Sequence, residues 1–394
     1  MKHHHIAFLI PGIDKIGGAE RQVINLAQGL ARRGWRATMV VLTGNGGSAA
    51  RELLRGGVDF VSLHMRKGIA DPRGWVALRQ WIQQEMPDVV HAHLPHATWV
   101  ARGVRLMAPL RVVVDTVHTS VIGRPTRRLG YEVTGWLSDR MTAVSEAAAD
   151  ACVQARMIRP ERLTVLPNGV DVEEWRPDAA ARARMRRELG VRDEEFLWFT
   201  AGRLEPVKDY PTMILAFMGL ADSAQLVIAG AGSEAGPLRK LVDALDLQNR
   251  VHFLGFQSDV RPWMQAADGF VLSSLWEGLP VCLLEAGACE VPCVATRVPG
   301  TREVVIDEAT GFLSRPDHPA SMRKAMMRLM RTPMDRRRAM GQLARKRVIE
   351  LFNMEDVLEQ WDGLYRNLLK TNSHPRRLAG RKSPVTILPV FGGS

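Results

Sequence analysis

The chain has no long hydrophobic run. Hydrophobic residues make up 46% of its 394 residues, but no apolar stretch approaches the roughly 18–20 residues that span a bilayer. The apolar segment at 6–10 is too short for the core of a signal peptide, and it leads directly into a glycine-rich loop. We therefore predict that this segment is a first strand, and we expect a cytoplasmic protein with, at most, peripheral contact with the membrane face.

Cysteine is scarce as well. Cys152 is isolated, whereas Cys282, Cys289 and Cys293 fall within one apolar helix–strand unit. Buried free thiols fit this pattern better than disulfides or a cysteine-based metal site do. The cysteines therefore indicate a reducing compartment.

Acidic residues are absent from the end of the chain, where no Asp or Glu follows Asp362. A second basic stretch lies at 102–128, and the net charge of the chain is +11. Such a charge favours an acidic partner such as a nucleotide, a nucleic acid or an anionic membrane surface, although solubility in an arginine-rich protein explains it equally well. We expect a nucleotide ligand and weak contact with an anionic membrane, and we expect no nucleic acid.

Apolar strand patterns alternate with amphipathic helix patterns along the first half of the chain. The predicted strands are 6–10, 37–42, 60–63, 89–91, 112–115 and 141–144, and the predicted helices are 20–30, 75–84 and 97–107. A second alternation begins at Phe196, after the turn residues Pro167, Asn168 and Gly169. The pattern predicts an α/β protein with two doubly wound parallel sheets.

The most informative stretch lies at 269–285. It predicts a buried strand at 269–273, a turn, and a helix that starts near Pro280, where the free backbone N–H groups of the first turn form an anion site. Glu277 precedes this helix start, and Glu285 lies roughly 7 Å along the axis beyond it. A phosphate there would have a carboxylate on each side, able to accept hydrogen bonds from hydroxyls. An ordinary alternative is that Glu277 caps the helix and Glu285 is a solvated surface charge.

Other loops at strand ends carry glycines or cations. Gly17 and Gly18 follow the first strand, but they do not complete a G-x-G-x-x-G pattern, so a dinucleotide dehydrogenase is poorly supported. Arg203 and Lys208 share one loop; a planar fork of donors and a mobile point charge together suit a diphosphate.

Histidines and hydroxyls follow the strands of the first half. These residues are His91, His93 and His96, then His118, Thr119 and Ser120, and finally Ser145. We do not expect a metal site, because no cysteine or carboxylate completes a zinc set nearby and the side chains of a strand divide between its two faces. We expect one or two of the three histidines at 91–96 to line an acceptor pocket.

Four motifs in this order, GGAE, GR-x4-K, G-x-G and E-x7-E, closely resemble those of the retaining glycosyltransferases of family 4. The resemblance spans roughly residues 5–370. It implies the GT-B fold, with two facing Rossmann-like domains at 1–168 and 169–355 and a helix at 356–370 that crosses back to the first domain; the basic tail at 371–394 is expected to be poorly ordered. The first domain would bind the acceptor and the second the nucleoside-diphosphate sugar. No cofactor and no essential metal are expected.

The resemblance also assigns roles to individual residues. The expected catalytic residues are His118, Glu277, Arg203 and Lys208. The expected donor-binding residues are Gly17, Gly18, Arg203, Lys208, Gly230, Gly232, Phe256, Glu277, Gly278, Leu279, Pro280 and Glu285. The expected acceptor-side residues are His93, Thr119 and Ser145.

The implied reaction moves a sugar from a nucleoside-diphosphate sugar to a hydroxyl acceptor. A UDP-sugar is favoured and a GDP-sugar is next; the acceptor is expected to be a lipid-linked or cell-surface glycan precursor. The basic and apolar segment 123–136 could then meet an anionic membrane. The alternatives are another GT-B enzyme such as a nucleotide-sugar epimerase or a phosphorylase, a glycosidase using Glu277 and Glu285, and a non-catalytic nucleotide-binding scaffold at the membrane surface.

Overall fold

The computed structural model describes residues 4–66, 71–123 and 125–372. The strands of its first domain are β1 (His5–Ile10), β2 (Arg36–Val41), β3 (Val58–Ser62), β4 (Val89–His93), β5 (Val112–Val117), β6 (Arg140–Ala143) and β7 (Leu163–Val165). They form one parallel sheet in the order β3-β2-β1-β4-β5-β6-β7. β1 and β5 are buried along their whole length, which explains their mainly apolar sequences, since helices cover both faces of such a sheet.

The helices of the first domain are α1 (Gly18–Arg32), α2 (Gly47–Arg55), α3 (Pro72–Glu85), α4 (Leu94–Val104), α5 (Pro125–Thr134) and α6 (Glu146–Gln154). The sequence did not predict α2 or β7. α2 is short and follows two glycines in the left-handed conformation. β7 has only 3 residues, and none of them is fully buried. The helix predicted at 97–107 starts earlier, at Leu94, and ends at Val104.

The second domain repeats this architecture. Its strands are β8 (Phe196–Ala201), β9 (Ala224–Ala229), β10 (Val251–Gly255), β11 (Gly269–Leu272), β12 (Cys293–Thr296) and β13 (Gly311–Ser314), in the parallel order β10-β9-β8-β11-β12-β13. Its helices are α7 (Ala179–Leu189), α8 (Tyr210–Met218), α9 (Ala235–Ala244), α10 (Arg261–Ala266), α11 (Val281–Ala288), α12 (Pro299–Val304), α13 (Pro319–Arg331) and α14 (Met334–Phe352). In both sheets the carboxyl ends of the strands carry the loops that form the site.

The last helix, α15 (Met354–Thr371), packs on the first domain. Leu358, Trp361 and Tyr365 are buried in the same hydrophobic cluster as Ile6 and Phe8 of β1. Burying side chains of this size contributes about 1.5–3 kcal/mol each. The chain therefore runs through both domains and returns to the first. Most of the predicted basic tail, from residue 373 onward, lies outside the described residues.

The two domains contact each other through hydrogen bonds close to the joining segment. The Gln22 side chain donates to the Gly169 carbonyl at 2.8 Å and accepts from its N–H at 3.0 Å. The Asn168 amide donates to the Leu279 carbonyl at 2.9 Å. These bonds fix the predicted turn residues at the point where the strand-end loops of both sheets face each other.

No helix in the described part of the chain is both long enough and apolar enough to cross a membrane.

Candidate active site

The helix start predicted at Pro280 lies at the carboxyl end of β11. Pro280 is the N-cap, with φ −72° and ψ 111°, and α11 begins at Val281, one residue later than predicted. No side chain of the described residues caps this helix. Its first backbone N–H groups and the positive end of its dipole are therefore available to an anion.

Glu277 is held by two neighbours and does not cap α11. Its Oε1 lies 2.6 Å from the Lys208 Nζ and accepts a hydrogen bond of 2.6 Å from the Ser274 hydroxyl. Burial disfavours the charge on Lys208, but the adjacent Glu277 carboxylate and Cys282 together outweigh this effect, so the pKa of Lys208 lies above its ordinary value. Ser274 was not predicted as a site residue; its position at the end of a buried strand was the available signal.

The glycine loop of the first domain faces this anion site. A methyl group at Gly17 would lie 3.5 Å from Arg203 Nε, and one at Gly18 would lie 3.7 Å from Val281 Cγ2. The structure thus brings together the predicted donor residues of both domains around the start of α11. The Gly17 N–H donates to the Glu20 carboxylate at 2.9 Å, which fixes the loop.

Glu285 is partly buried, so it is not a fully solvated surface charge. Its carboxylate has no hydrogen-bond or ion-pair partner among the described residues. Burial raises the pKa of Glu285 to about 7, while the charge of Arg21 in the first domain acts in the opposite direction. Arg21 itself pairs with Glu52 at 2.5 Å. Arg21 was not predicted as a site residue, although it directly follows the GGAE motif.

Gly230 and Gly232 support the Arg203 loop. A methyl group at either position would overlap the backbone of that loop, at Gly202 and Leu204 respectively. The Leu204 N–H donates to the Ala231 carbonyl at 2.9 Å. These glycines therefore allow two strand-end loops to pack closely.

Phe256 follows β10 at the same edge of the sheet, and its side chain is 68% exposed. An aromatic ring left exposed at this edge can stack on a nucleobase, because every base presents a flat π-face.

The loop after β5 meets the turn that carries Glu277. The Ser120 hydroxyl donates to the Glu277 carbonyl at 2.6 Å. A methyl group at Gly278 would overlap the backbone of His118. The predicted residues His118 and Thr119 therefore lie beside Glu277 and Gly278, across the boundary between the two domains.

His91 and His93 lie on the same face of β4, with ring centroids 3.9 Å apart, so the expectation that they divide between two faces is wrong. His91 is bonded by Tyr365 of α15 at 2.7 Å and by Thr116 at 2.6 Å, which makes it part of the core. Among the described residues no group of side chains has the composition of a metal site.

His93 is 2% exposed, and its Nδ1 lies 3.1 Å from His118 Nε2. We expected His93 to line the acceptor side; the structure instead packs it against His118 in the protein interior. Burial lowers the pKa of His118 to about 4, so this imidazole is neutral at neutral pH. His96, by contrast, is exposed.

Ser145 was expected on the acceptor side, and the structure uses it as a helix cap. It is 1% exposed, and its hydroxyl accepts from the Ala148 N–H at 3.1 Å at the start of α6. Glu303 of the second domain accepts from the Glu146 and Ala147 N–H groups, each at 3.0 Å. Ser145 and Glu303 thus saturate the first turn of α6, and Glu303 also joins the two domains.

Two family models match the chain. The model for Glycosyltransferase Family 4 matches residues 16–174, and the model for Glycosyl transferases group 1 matches residues 181–347. The chain belongs to the family 4 glycosyltransferases. It is therefore an enzyme that transfers a sugar from a nucleotide-sugar donor, and the two models divide in the segment that joins the two sheets.

Curated relatives carry glycosyltransferase names. The UDP-Gal:alpha-D-GlcNAc-diphosphoundecaprenol alpha-1,3-galactosyltransferase of Escherichia coli is 26% identical over 314 residues, which cover 76% of this chain and 81% of the relative. The N-acetyl-alpha-D-glucosaminyl L-malate synthase of Bacillus anthracis is 27% identical over 305 residues, which cover 74% of this chain and 78% of the relative.

Solved structures show the same fold. HepE of Anabaena, in complex with UDP and glucose, superposes with a TM-score of 0.81 at 22% identity, covering 93% of this chain and 100% of HepE. The sucrose-phosphate synthase of Thermosynechococcus elongatus superposes with a TM-score of 0.82 at 22% identity, covering 94% of this chain and 100% of the synthase. The architecture of the chain is therefore GT-B, as the motifs predicted.

Proposed function

We propose that this glycosyltransferase moves a sugar from a UDP-sugar to a hydroxyl acceptor with retention of the anomeric configuration. The observation that carries the proposal is the convergence of Arg203, Lys208 and the free N-terminus of α11. Glu277 precedes this helix start, and Glu285 lies in the second turn of the helix. A diphosphate meets three sources of positive charge there, and carboxylates are available for hydroxyls on both sides.

Each group has a role in the departure of the nucleotide. Arg203, Lys208 and the α11 N–H groups stabilise the charge that grows on the leaving diphosphate, which is usually the largest catalytic effect of such a site. Glu285 accepts from ribose hydroxyls. Glu277 accepts from the transferred sugar, and His118 offers a neutral nitrogen beside it.

Retention follows from attack on the face that the diphosphate leaves. Glu277 is already engaged by Lys208 and Ser274, which makes its carboxylate a poor nucleophile. The acceptor oxygen therefore forms the new bond to the anomeric carbon directly, the bond to the diphosphate oxygen breaks, and that oxygen takes the acceptor proton. A time-resolved proton NMR spectrum of the first product tests this: an α-linked product from an α-linked donor agrees, and a β-linked product contradicts the proposal.

UDP is the proposed nucleotide, ahead of GDP. The name of the Escherichia coli relative specifies UDP-Gal, and HepE has been solved with UDP and glucose. Turnover of UDP-glucose, UDP-galactose, UDP-N-acetylglucosamine and GDP-mannose should be compared with one acceptor mixture. Faster turnover of GDP-mannose than of every UDP-sugar would overturn the choice of base.

We also propose that the reaction needs no divalent metal and no other cofactor. Arg203, Lys208 and the α11 dipole compensate the negative charge on the departing diphosphate. A metal ion has this role in other enzymes with a phosphate leaving group. Turnover should persist in excess EDTA at more than about half its rate in magnesium. Loss of turnover in EDTA, restored by magnesium or manganese, would contradict this.

The proposed acceptor is a lipid-linked glycan precursor, reached by weak contact with an anionic membrane. α5 exposes Leu129 and Val133 by 59% and 58%, and Trp136 follows at 65%. These positions lie on one helical stripe, and Arg127 and Arg128 are exposed beside them. Amphipathic surfaces of this kind lie in the headgroup region of anionic bilayers.

A vesicle sedimentation experiment tests the membrane contact. The variant Leu129→Gln/Val133→Gln/Trp136→Gln should lose binding to vesicles that contain about one third phosphatidylglycerol. Met334→Gln, at a position that is 77% exposed on α14, is the control and should bind like the wild type. If the triple variant and the wild type sediment equally with the vesicles, the proposed membrane contact is wrong.

A further inference from the structure

His93 and His118 form a buried histidine pair in the first domain. His93 Nδ1 lies 3.1 Å from His118 Nε2, and the two ring centroids are 5.3 Å apart. Burial lowers the pKa of both imidazoles. Because both rings are neutral, one nitrogen of the contact donates a proton and the other accepts it.

The orientation of His93 is fixed by its own neighbours. Its ring packs against the ring of His91, with centroids 3.9 Å apart, and stacks on the ring of Phe8, with centroids 6.0 Å apart. His91 is in turn held by Tyr365 at 2.7 Å and by Thr116 at 2.6 Å. His93 is therefore a rigid support for the ring that it contacts.

The second nitrogen of each ring has no partner among the described residues. His93 Nε2 and His118 Nδ1 are both buried and unbonded, and leaving a buried polar atom without a partner destabilises the fold. Both residues line a cavity of about 20 Å³, which also touches Gln22, Thr116 and Asn168. That volume accommodates a single water, which can satisfy His93 Nε2. His118 Nδ1 remains for a ligand of the adjacent cleft.

We propose that His93 is a positioning residue for the transfer reaction: by occupying His118 Nε2 it fixes the His118 ring, so that Nδ1 bonds a hydroxyl of the transferred sugar. This inference rests on the proposed function of the cleft. The backbone of His118 abuts Gly278, next to Glu277, so His118 belongs to the wall of the cleft that is proposed to hold the sugar. His93 does not touch the substrate.

A matched pair of variants separates the hydrogen bond from the space that the ring fills. His93→Asn keeps a polar atom near the place of Nδ1, whereas His93→Leu has a similar size and keeps none. With UDP-glucose as donor, His93→Leu should lower kcat about tenfold or more, because misplacement of a reacting group is that costly. His93→Asn should lower kcat less than about threefold, and both variants should unfold in urea at similar midpoints.

Measuring kcat in the His118→Ala background distinguishes a positioning role of His93 from a merely structural one. If His93 acts only through His118, adding His93→Leu to His118→Ala should change kcat less than about twofold. Equal kcat for the Leu and Asn variants would overturn the proposal. So would a double variant slower than His118→Ala by the full factor that His93→Leu shows alone.

Calorimetry with UDP and UDP-glucose distinguishes failure of this inference from failure of the proposed function. UDP should bind the wild type and His93→Leu equally, and only the extra affinity contributed by glucose should fall in the variant. If UDP binds and the kcat values of wild type and His93→Leu agree, only the role of His93 is refuted. If folded wild type binds neither UDP nor UDP-glucose, the proposed UDP-sugar function fails and the inference fails with it.

Discussion

The Lys208 ammonium, in the loop after β8, lies 2.6 Å from the Glu277 carboxylate, in the turn between β11 and α11. Only 18% of the lysine side chain and 13% of the glutamate side chain are exposed. Before a donor arrives, each charge therefore compensates the other. In the proposed reaction, a bound nucleotide sugar would share both partners, with phosphate oxygens on Lys208 and sugar hydroxyls on Glu277.

Removing the Lys208 charge should reduce catalysis more than folding. Lys208→Met should lower kcat about 100–1000-fold, as loss of one preorganised charge at a leaving group does elsewhere. The variant leaves Glu277 unpaired, so some loss of stability is expected as well. Steady-state kinetics with a saturating donor measures the effect, and Lys346→Met, on the exposed face of α14, is the control. A Lys208→Met enzyme within about threefold of the wild type would exclude this lysine from the leaving-group site.

Gly278 should be intolerant of even one added methyl group. Gly278→Ala would press on the His118 backbone and force the two domains apart. We expect kcat to fall at least about tenfold, because small misplacements of catalytic groups have effects of that size. Gly236→Ala is a matched control, since a methyl group there meets nothing within 4 Å. If Gly278→Ala and Gly236→Ala both retain full turnover, the contact with His118 is not needed during the reaction.

The affinity for the donor should depend on the ionisation of Glu285. Its pKa is raised to about 7 by burial, and ribose hydroxyls donate to the ionised form. Binding therefore favours loss of the proton, and affinity should rise as the pH increases from about 6 to about 8. UDP-glucose is the suitable ligand, because a terminal phosphate itself titrates at about pH 6. Glu285→Gln should bind more weakly and without this pH dependence; a wild-type affinity that stays constant over this range would contradict the role of Glu285.

The buried histidines should make the protein sensitive to acid. Burial lowers the pKa of His91, His93 and His118, whereas histidine in an unfolded chain takes up a proton at about pH 6.5. The unfolded state then binds more protons, so the free energy of unfolding should fall as the pH drops from about 6.5 towards 4, by at most about 1.4 kcal/mol per pH unit for each histidine. In urea titrations His93→Asn should reduce this slope, and His64→Asn, at an exposed position, should not. Equal slopes for the two variants would contradict the account.

The sequence predicted the parts of the fold that depend on local pattern. Alternating strands and helices gave two parallel sheets, and the motif around 269–285 gave the strand, turn and helix start to within one residue. The cations at 203 and 208 lie in the loop that follows β8. Such features could be predicted because the strands of a parallel sheet are buried on both faces and therefore consist mainly of consecutive apolar residues.

Contacts between segments that are distant in sequence could not be predicted in the same way. Ser145 was assigned to the acceptor side, because a hydroxyl that ends a strand looks the same whether it caps a helix or faces a ligand. His93 was assigned to the same side, because nothing in the segment 89–96 shows that α15 returns to cover it. Partners such as Gly278 and His118 meet only when both domains are in place.

Calorimetric binding of UDP in the presence of EDTA tests the central claim most directly. Wild-type protein should bind UDP without metal, and Arg203→Ala and Glu285→Ala should each weaken binding about tenfold or more, because each removes a charged hydrogen-bonding group worth about 1.5–3 kcal/mol. Folded wild-type protein that binds no UDP under these conditions, or two variants that bind it as tightly as the wild type, would contradict the assignment of the cleft at the start of α11.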